Sequence, residues 1–410
     1  MLLNISDFLA MMANLLLSIL SSFICEQLLL KSSHGFIRAG LFGIDMCKRQ
    51  PDDKEKAKKI PEAYGVLPAT VYIVLSFVFI PIMFSAGYTY RNSEFMMHDF
   101  IQYLSALLGI CSMTLLGFTD DVFNLRWRDK VLLPALASLP LLLIYFVNCN
   151  ETNIVIPKLV NWLFISGEYS STTINLGILY YCWMAAVTIF CTNTINILAG
   201  INGVEVGQSL IIASSIVVYN LFELPGDCGR QHLFSLYLLV PYICTTIPLL
   251  KLNWYPASVF VGDTFCYFSG FLFATVGILG HFSKTLMMFF IPQAFNFIIS
   301  VPQLFRIVPC PRHRLPKLLS NNEQELLTTS DFELESKTQT RLQKFTINMF
   351  ACLKLIRVEQ KEDRQIITNM TILNVILSHY GPLTELQLFR KVMLLQITCS
   401  VLSLAIRYSV

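Results

Sequence analysis

Apolar runs of about twenty residues, separated by short polar stretches, repeat along the whole chain. Coiled as an α-helix at ~1.5 Å per residue, such a run matches the ~30 Å hydrocarbon core of a bilayer. The runs predict helices over about 9–30, 66–84, 101–118, 131–147, 176–191, 207–222, 233–250, one opening near 260, 286–305 and 392–406. The expected fold class is an all-α polytopic membrane protein of about ten transmembrane helices. Between 317 and 390 the pattern changes to short, polar, alternating segments, which predicts a small cytosolic α/β appendage between helices nine and ten. The expected organisation is a transmembrane core over 1–316, the appendage over 317–390, and a final helix over 391–410.

Composition agrees with that pattern: 54% of the 410 residues are hydrophobic and only 14% charged, which excludes a soluble domain. The formal net charge of +3 is small, so its placement matters more than its sum. The stretch after the first helix carries Lys31, Arg38, Lys48, Arg49, Lys54, Lys56, Lys58 and Lys59, and the positive-inside rule makes it cytosolic. Both termini then fall on the far side. The segment 148–175 has one lysine and a sequon at Asn150, so it is expected to face away from the cytosol with Asn150 glycosylated; a second sequon at Asn369, in the appendage, is expected to stay bare. The first apolar run has no basic leader or small-residue cleavage site and reads as a retained helix. Twelve cysteines without regular spacing lie mostly in apolar runs, as buried thiols do. No repeat and no nucleic-acid motif is present.

Polar groups gather where the topology places cytosolic helix ends. Asp120 and Asp121 stand at the mouth of helix three, followed by Asn124, Trp127, Arg128 and Lys130. Charges at membrane depth are costly and have a partner or a function, and adjacent carboxylates call for a cation. Asn193, Asn196 and Asn202 follow helix five, with Gly200 and Gly203 between them; Asp263 opens helix eight; Arg312-His313-Arg314 lies after helix nine between prolines. Neutral and anionic oxygens suit a hard ion such as Mg²⁺, and arginine suits phosphate. Each group also has an ordinary reading: Asp263 as a helix cap, the asparagines as helix-end donors, the arginines as a lipid anchor, Trp127 and Phe260 as interfacial aromatics. One-sided clustering favours a phosphoryl-transfer site at the membrane surface, open to one soluble and one lipid substrate.

At Phe118-Thr-Asp-Asp-Val-Phe-Asn-Leu-Arg-Trp-Arg, 193–205, Asn253-Trp-Tyr-Pro, Gly262-Asp-Thr-Phe-Cys-Tyr-Phe and Pro309-Cys-Pro-Arg-His-Arg the sequence resembles the polyprenyl-phosphate N-acetylhexosamine-1-phosphate transferase superfamily, above all its eukaryotic, dolichyl-phosphate-using branch. The resemblance implies transfer of GlcNAc-1-phosphate from UDP-GlcNAc to dolichyl phosphate, with UMP leaving, as the first step of lipid-linked oligosaccharide synthesis for protein N-glycosylation at the endoplasmic reticulum. It implies Mg²⁺ on Asn196 and Asp263, with Lys130 and Arg312 on phosphate oxygens. Gly200, Asn202, Phe260 and Met46 would surround the uracil, and Glu62 would lie near the ribose. Asn124, His313 and Arg314 would face the sugar, and Asp120 and Asp121 the reacting phosphates; Trp127 and Asn193 belong to the same binding set. Bacterial relatives carry an aspartate where Ala199 stands and a His-rich motif in place of Arg312-His313-Arg314, which argues against the peptidoglycan branch. The expected partners are the two substrates and the bilayer, with no nucleic acid and a homodimer left open. The competing class is a nucleotide-sugar or lipid-phosphate transporter, whose site would lie near the bilayer midplane between repeats; a regulatory membrane scaffold would need no aspartate–asparagine set.

Overall fold

The structure is a computed structural model and describes residues 5–49, 57–85, 93–126, 129–148, 152–155, 173–311, 314–319, 325–335, 339–361 and 364–409. The transmembrane part contains α1 (Ile5–Arg38), α2 (Val66–Ser85), α3 (Ser93–Phe123), α4 (Asp129–Ala137), α5 (Leu139–Asn148), α6 (Ile178–Ile197), α7 (Val204–Glu223), α8 (Gly229–Asn253), α9 (Gly262–Leu279), α10 (Ser283–Phe289) and α11 (Ile291–Leu304). The appendage adds α12 (Arg341–Cys352) and α13 (Ile372–Tyr380), and the last helix is α14 (Glu385–Ser409). Among the described residues, nine helical segments are long and apolar enough to cross a membrane, or ten with the bent pair α10–α11. The expected polytopic helical fold is present.

Helix α9 is the axis of the bundle. Every residue from Thr264 to Leu279 is buried, whereas 22% of the span Asp129–Val147 is buried and Leu132, Leu136, Leu139 and Leu143 face outward. Small residues bring α9's neighbours close, as membrane helices require when no hydrophobic drive separates protein from lipid. A Cβ on Gly117 of α3 would lie 2.6 Å from Thr264 Cα, and one on Gly270 of α9 would lie 2.4 Å from the Cys191 carbonyl of α6. The backbones of α3 and α6 therefore touch α9, and their polar ends meet at its N-terminus.

Several helix limits differ from the sequence expectation for local reasons. Helix α3 continues to Phe123, so Asp120 and Asp121 lie in its last turn rather than in a loop. It stops because Asn124 adopts left-handed backbone, φ 53°, which asparagine tolerates as a helix-terminating residue. The expected helix over 131–147 is interrupted at Ser138, between Pro134 and Pro140. The expected single span over 286–305 is two helices bent by 73°, with Pro292 in the first turn of the second. Side chains answer the carbonyls freed at that bend: Gln396 Nε2 donates to Phe289 O at 2.9 Å and Ser403 Oγ to Met288 O at 2.9 Å. The last helix starts at Glu385, seven residues before the apolar run, because Thr384 and Gln387 cap it reciprocally.

The appendage holds two small antiparallel sheets. One, in the order Asp331–Glu335, Arg364–Thr368, Val358–Lys361, packs with α12 around Phe332, Ile347, Phe350 and Ile367, onto Ile299 of α11. The other, in the order Leu383–Thr384, Leu326–Thr328, Lys317–Leu318, joins α13 and α14 in a cluster with Leu198, Ile201 and Val204. The appendage thus covers the segment between α6 and α7 that carries Gly200 and Asn202.

Candidate active site

A cavity of about 860 Å³ opens where the N-terminus of α9 meets the C-terminal ends of α3 and α6. Thirteen of the residues expected from sequence line it: Met46, Glu62, Asp120, Asp121, Asn124, Lys130, Asn193, Asn196, Gly200, Asn202, Phe260, Asp263 and Arg314. Trp127, Arg312, His313 and Asn150 lie outside the described residues.

The two adjacent aspartates do different things. Asp121 turns both oxygens to the start of α9: Oδ1 accepts the Asp263 N–H at 2.6 Å, and Oδ2 accepts the Thr264 N–H at 3.0 Å and its hydroxyl at 2.5 Å. A carboxylate from another helix thereby satisfies N–H groups that have no partner within α9 and meets the positive end of its dipole. Gly262 makes room for it. Its φ is +75°, and a Cβ there would lie 2.5 Å from Asp121 Oδ2. So Asp263 is not the cap of its own helix; it is the capped residue, and its carboxylate is free to face the cavity.

Asp120, one position back, points to the other side. It is 2% exposed, and its Oδ1 accepts the Leu125 N–H at 3.0 Å. Its Oδ2 lies 3.0 Å from Lys130 Nζ and 3.3 Å from the Tyr267 hydroxyl. The same ammonium lies 2.8 Å from Asp263 Oδ2, while Asp263 Oδ1 accepts from the Asn196 amide. One lysine thus serves two carboxylates from two helices. Asn193, a turn before Asn196, donates to the Lys130 carbonyl at 3.2 Å and to its own helix at Ile189 O, 2.9 Å, which ties α6 to the start of α4.

The end of α6 is fixed from below. Its freed carbonyls at Ile195 and Leu198 accept from Gln208 Nε2 at 3.1 and 2.8 Å, and Ile197 O accepts from Asn296 at 3.0 Å. Gln208 accepts in turn from Gln293, and both are fully buried.

Charge is the site's dominant property. Asp45, Glu62, Asp120, Asp121, Glu205, Asp263 and Glu385 put seven carboxylates on the described lining, against the two cations Lys130 and Arg314. Arg314 Nη1 is buried with no hydrogen-bond partner, and burial holds the guanidinium below its ordinary pKa. A desolvated cation with an unmet donor is half of an anion site. Even with Lys48 3.0 Å from Asp45, the described wall holds more carboxyl groups than cations, and positive charge arriving with an anionic ligand would offset them. The carboxylate and amide oxygens of the lining are hard donors, and among the described residues no three His, Cys, Asp or Glu groups converge on one point. That fits Mg²⁺, which keeps few protein ligands and takes others from substrate phosphates; Asp263 and Asn196 are the residues that would hold it.

Asp45, Glu205, Tyr267 and Glu385 also belong to the lining or touch it, and sequence reasoning did not single them out. Tyr267 had a signal: it stands four positions after Asp263 in the same motif, on the same helix face. Glu385 had none, since it lies 122 positions beyond Asp263 in a segment read as appendage.

Residues 103–281 match the family described as Glycosyl transferase family 4. The chain is 44% identical to a Schizosaccharomyces pombe protein over 98% of this chain and 92% of that one. It is 40% identical to a Saccharomyces cerevisiae protein over 94% and 88%, and 43% identical to one from Dictyostelium discoideum over 90% and 82%. All three carry the name UDP-N-acetylglucosamine–dolichyl-phosphate N-acetylglucosaminephosphotransferase.

Proposed function

The chain belongs to the UDP-N-acetylglucosamine–dolichyl-phosphate N-acetylglucosaminephosphotransferases of glycosyl transferase family 4, and we propose that the acidic cavity is where it works. The protein is a glycosyl-1-phosphate transferase. It moves GlcNAc-1-phosphate from UDP-GlcNAc to dolichyl phosphate and releases UMP, the first step in building the lipid-linked precursor for protein N-glycosylation.

The observation that carries the site reading is Lys130, 3.0 Å from Asp120 and 2.8 Å from Asp263 in a cavity with excess carboxylate. In this reading the diphosphate of the donor lies over Asp263, Asn196 and Lys130. Its nucleoside reaches Phe260, Gly200 and Asn202, and its sugar reaches Asn124 and Arg314. Mg²⁺ on Asn196 and Asp263 would neutralise charge on the diphosphate as the bond to UMP breaks. Lys130 holds a phosphate oxygen by a charge-assisted hydrogen bond. Asp120 faces the lipid phosphate as base or orienting group. A phosphate monoester's second pKa is near 6, so the acceptor is already mostly dianionic at neutral pH and orientation is the larger need. Asp121 acts through α9, by presenting Asp263.

We place the cavity on the cytosolic face of the endoplasmic reticulum membrane, with both termini lumenal. The basic stretch between α1 and α2 supports that orientation, since Asp45, Met46, Cys47 and Glu62 within it line the cavity. Asn369 fits it too: it is 1% exposed, and its amide donates to Ser330 Oγ at 2.9 Å and accepts from Gln303 at 2.8 Å, so no glycan would fit. A glycosidase-sensitive mass shift that disappears in Asn150→Gln is the expected result; one that disappears only in Asn369→Gln would invert the topology.

The direct test of the site mixes purified protein, Mg²⁺, UDP-GlcNAc and a short polyprenyl phosphate in detergent and measures UMP. Release by the wild type and its loss in Asp263→Ala are expected. Full turnover by Asp263→Ala would remove the reaction from this cavity.

A further inference from the structure

We propose that Glu385, at the start of the last transmembrane helix, is a positioning residue for the nucleotide half of the donor. The inference rests on the assignment of Gly200 and Asn202 to the uracil. The connection 198–203 between α6 and α7 is short, and its residues Ala199, Gly200, Ile201 and Asn202 line the cavity. Its shape must therefore be imposed from outside. Glu385 Oε1 accepts the Asn202 N–H at 2.6 Å across 183 positions of sequence. The residue is 3% exposed and lines the cavity, and its second oxygen is buried with no hydrogen-bond partner. Among the described residues the Asn202 N–H is the carboxyl group's one hydrogen-bond donor, with the Lys48 ammonium nearby, 3.0 Å from Asp45.

The helix that carries Glu385 is itself fixed. Thr384 N–H donates to Gln387 Oε1 at 3.1 Å and Gln387 N–H to Thr384 Oγ1 at 3.3 Å, which sets the first helical position where Glu385 stands. One turn later the Phe389 ring packs on Gly203, where a Cβ would lie 3.2 Å from it, and edge-on to Trp254 with ring centroids 4.7 Å apart. Glu385 thus meets the connection at a fixed height.

The same asparagine carries the constraint onward. Asn202 Nδ2 donates to Asp45 Oδ2 at 3.1 Å, and Asp45 Oδ1 accepts the Cys47 N–H at 3.0 Å, closing a turn around Met46. Glu385, Asn202 and Asp45 therefore join the two segments assigned to the base into one unit, anchored on the last helix. Nothing in this chain of bonds reaches Asp263, Asn196 or Lys130. Loss of the anchor should loosen the grip on the nucleoside and leave the reacting phosphates alone.

A residue that contributes only binding common to ground and transition state raises KM and spares kcat. Titration calorimetry with UMP and steady-state kinetics with UDP-GlcNAc, on Glu385→Gln, Glu385→Ala and Asn202→Ala, test this. In Glu385→Gln, which keeps size and an acceptor, UMP affinity should fall and KM should rise by about tenfold each, with kcat within about twofold. The thermal midpoint without ligand should stay at the wild-type value, and Glu385→Gln alone carries the test if Glu385→Ala misfolds. If kcat falls while KM and UMP affinity hold, Glu385 serves the chemistry and the inference is overturned. If Asn202→Ala loses UMP while Glu385→Gln binds it normally, the inference fails and the site reading stands. If UMP affinity is unchanged in all three, the nucleoside lies elsewhere and both fall.

Discussion

The long helices of this bundle have polar groups at both ends, and the two ends are built on opposite principles. At the end away from the cavity, Asp99 of α3 meets Arg230 of α8, with Nε at 2.9 Å and Nη2 at 2.5 Å from one carboxylate oxygen. Glu223 of α7 accepts the Tyr408 hydroxyl at 3.2 Å beside Arg407 of α14 at 3.8 Å. Asn220, His232 and Ser235 close on one another at 2.8 and 2.7 Å. Asp99 and Glu223 there each have a cation, and the Asn220 amide has both its partners. At the cavity end one lysine is divided between two aspartates, the described lining holds seven carboxylates and two cations, with Lys48 beside Asp45, and Arg314 Nη1 has no hydrogen-bond partner among the described residues. An ion pair inside a membrane protein is ordinary closure. A set of charges that does not close on itself waits for a ligand of complementary charge.

The largest expected effect breaks that open set at the residue proposed to hold Mg²⁺. Asp263→Ala removes the carboxylate assigned to Mg²⁺ and leaves Lys130 to Asp120 alone. Turnover should fall by about a thousandfold, and calorimetric binding of Mg²⁺–UDP-GlcNAc should be lost. Chelation of Mg²⁺ from the wild type should have the same effect on both. Next in size is Asp120→Asn, which keeps shape but removes charge. It should still bind Mg²⁺–UDP-GlcNAc, while turnover drops by about a hundredfold, the scale of base and orienting effects. The reverse pattern, with binding lost in Asp120→Asn and kept in Asp263→Ala, would move the metal to the Asp120 side.

The sequence made the open end far more legible than the closure around it. Spans were readable because a bilayer demands long apolar runs, and the site because its motifs sit at their ends. Helix limits were misread where polar residues continue a helix: hydropathy stops at Phe118 and Cys191, but the hydrogen-bonded ladder runs on to Phe123 and Ile197. Those extra turns are what hold Asp120, Asp121, Asn193 and Asn196. The bend between α10 and α11 was missed because its freed carbonyls are met by Gln396 and Ser403, more than a hundred positions away. Glu385 was missed for the same reason: its partner is set by tertiary packing, which leaves no local pattern. The division of labour within Asp120-Asp121 was also unreadable, since adjacent helical positions face different neighbours.

That division gives the third prediction. Asp121 belongs to the cavity end by position but is closed by construction, with both oxygens on the N-terminus of α9. Asp121→Asn loses the charge and part of the acceptor capacity, so the effect should appear first in stability. A lost helix cap costs about 1–2 kcal/mol, read as a lower thermal midpoint. Turnover should fall by about tenfold, through the displacement of Asp263, with Mg²⁺–UDP-GlcNAc binding weakened in proportion. If turnover instead collapses while the thermal midpoint and binding hold, Asp121 acts on the reacting phosphates itself.

The smallest effect belongs to the closed end and is the control for the whole comparison. Asp99 and Arg230 form a bidentate-like pair between α3 and α8, the same two helices whose other ends stand near the cavity. If charge pairs mattered to activity merely by joining helices, Asp99→Asn would slow turnover as Asp120→Asn does. The structure predicts otherwise. The pair's side chains are 33% and 18% exposed, so water and salt screen part of the interaction and its loss should cost roughly 1 kcal/mol. The span between the two ends is held by buried aliphatic and aromatic packing of α3 on α9, through Leu107, Ile110, Phe268 and Phe271, which this substitution does not touch. The thermal midpoint should drop by a few degrees at most, since about 1 kcal/mol shifts a protein of this size only slightly. Turnover and KM for UDP-GlcNAc should stay within about twofold of the wild type. A hundredfold loss of turnover in Asp99→Asn would mean that the far end sets the geometry of Asp120 along α3, and the distinction between closed and open ends would fail.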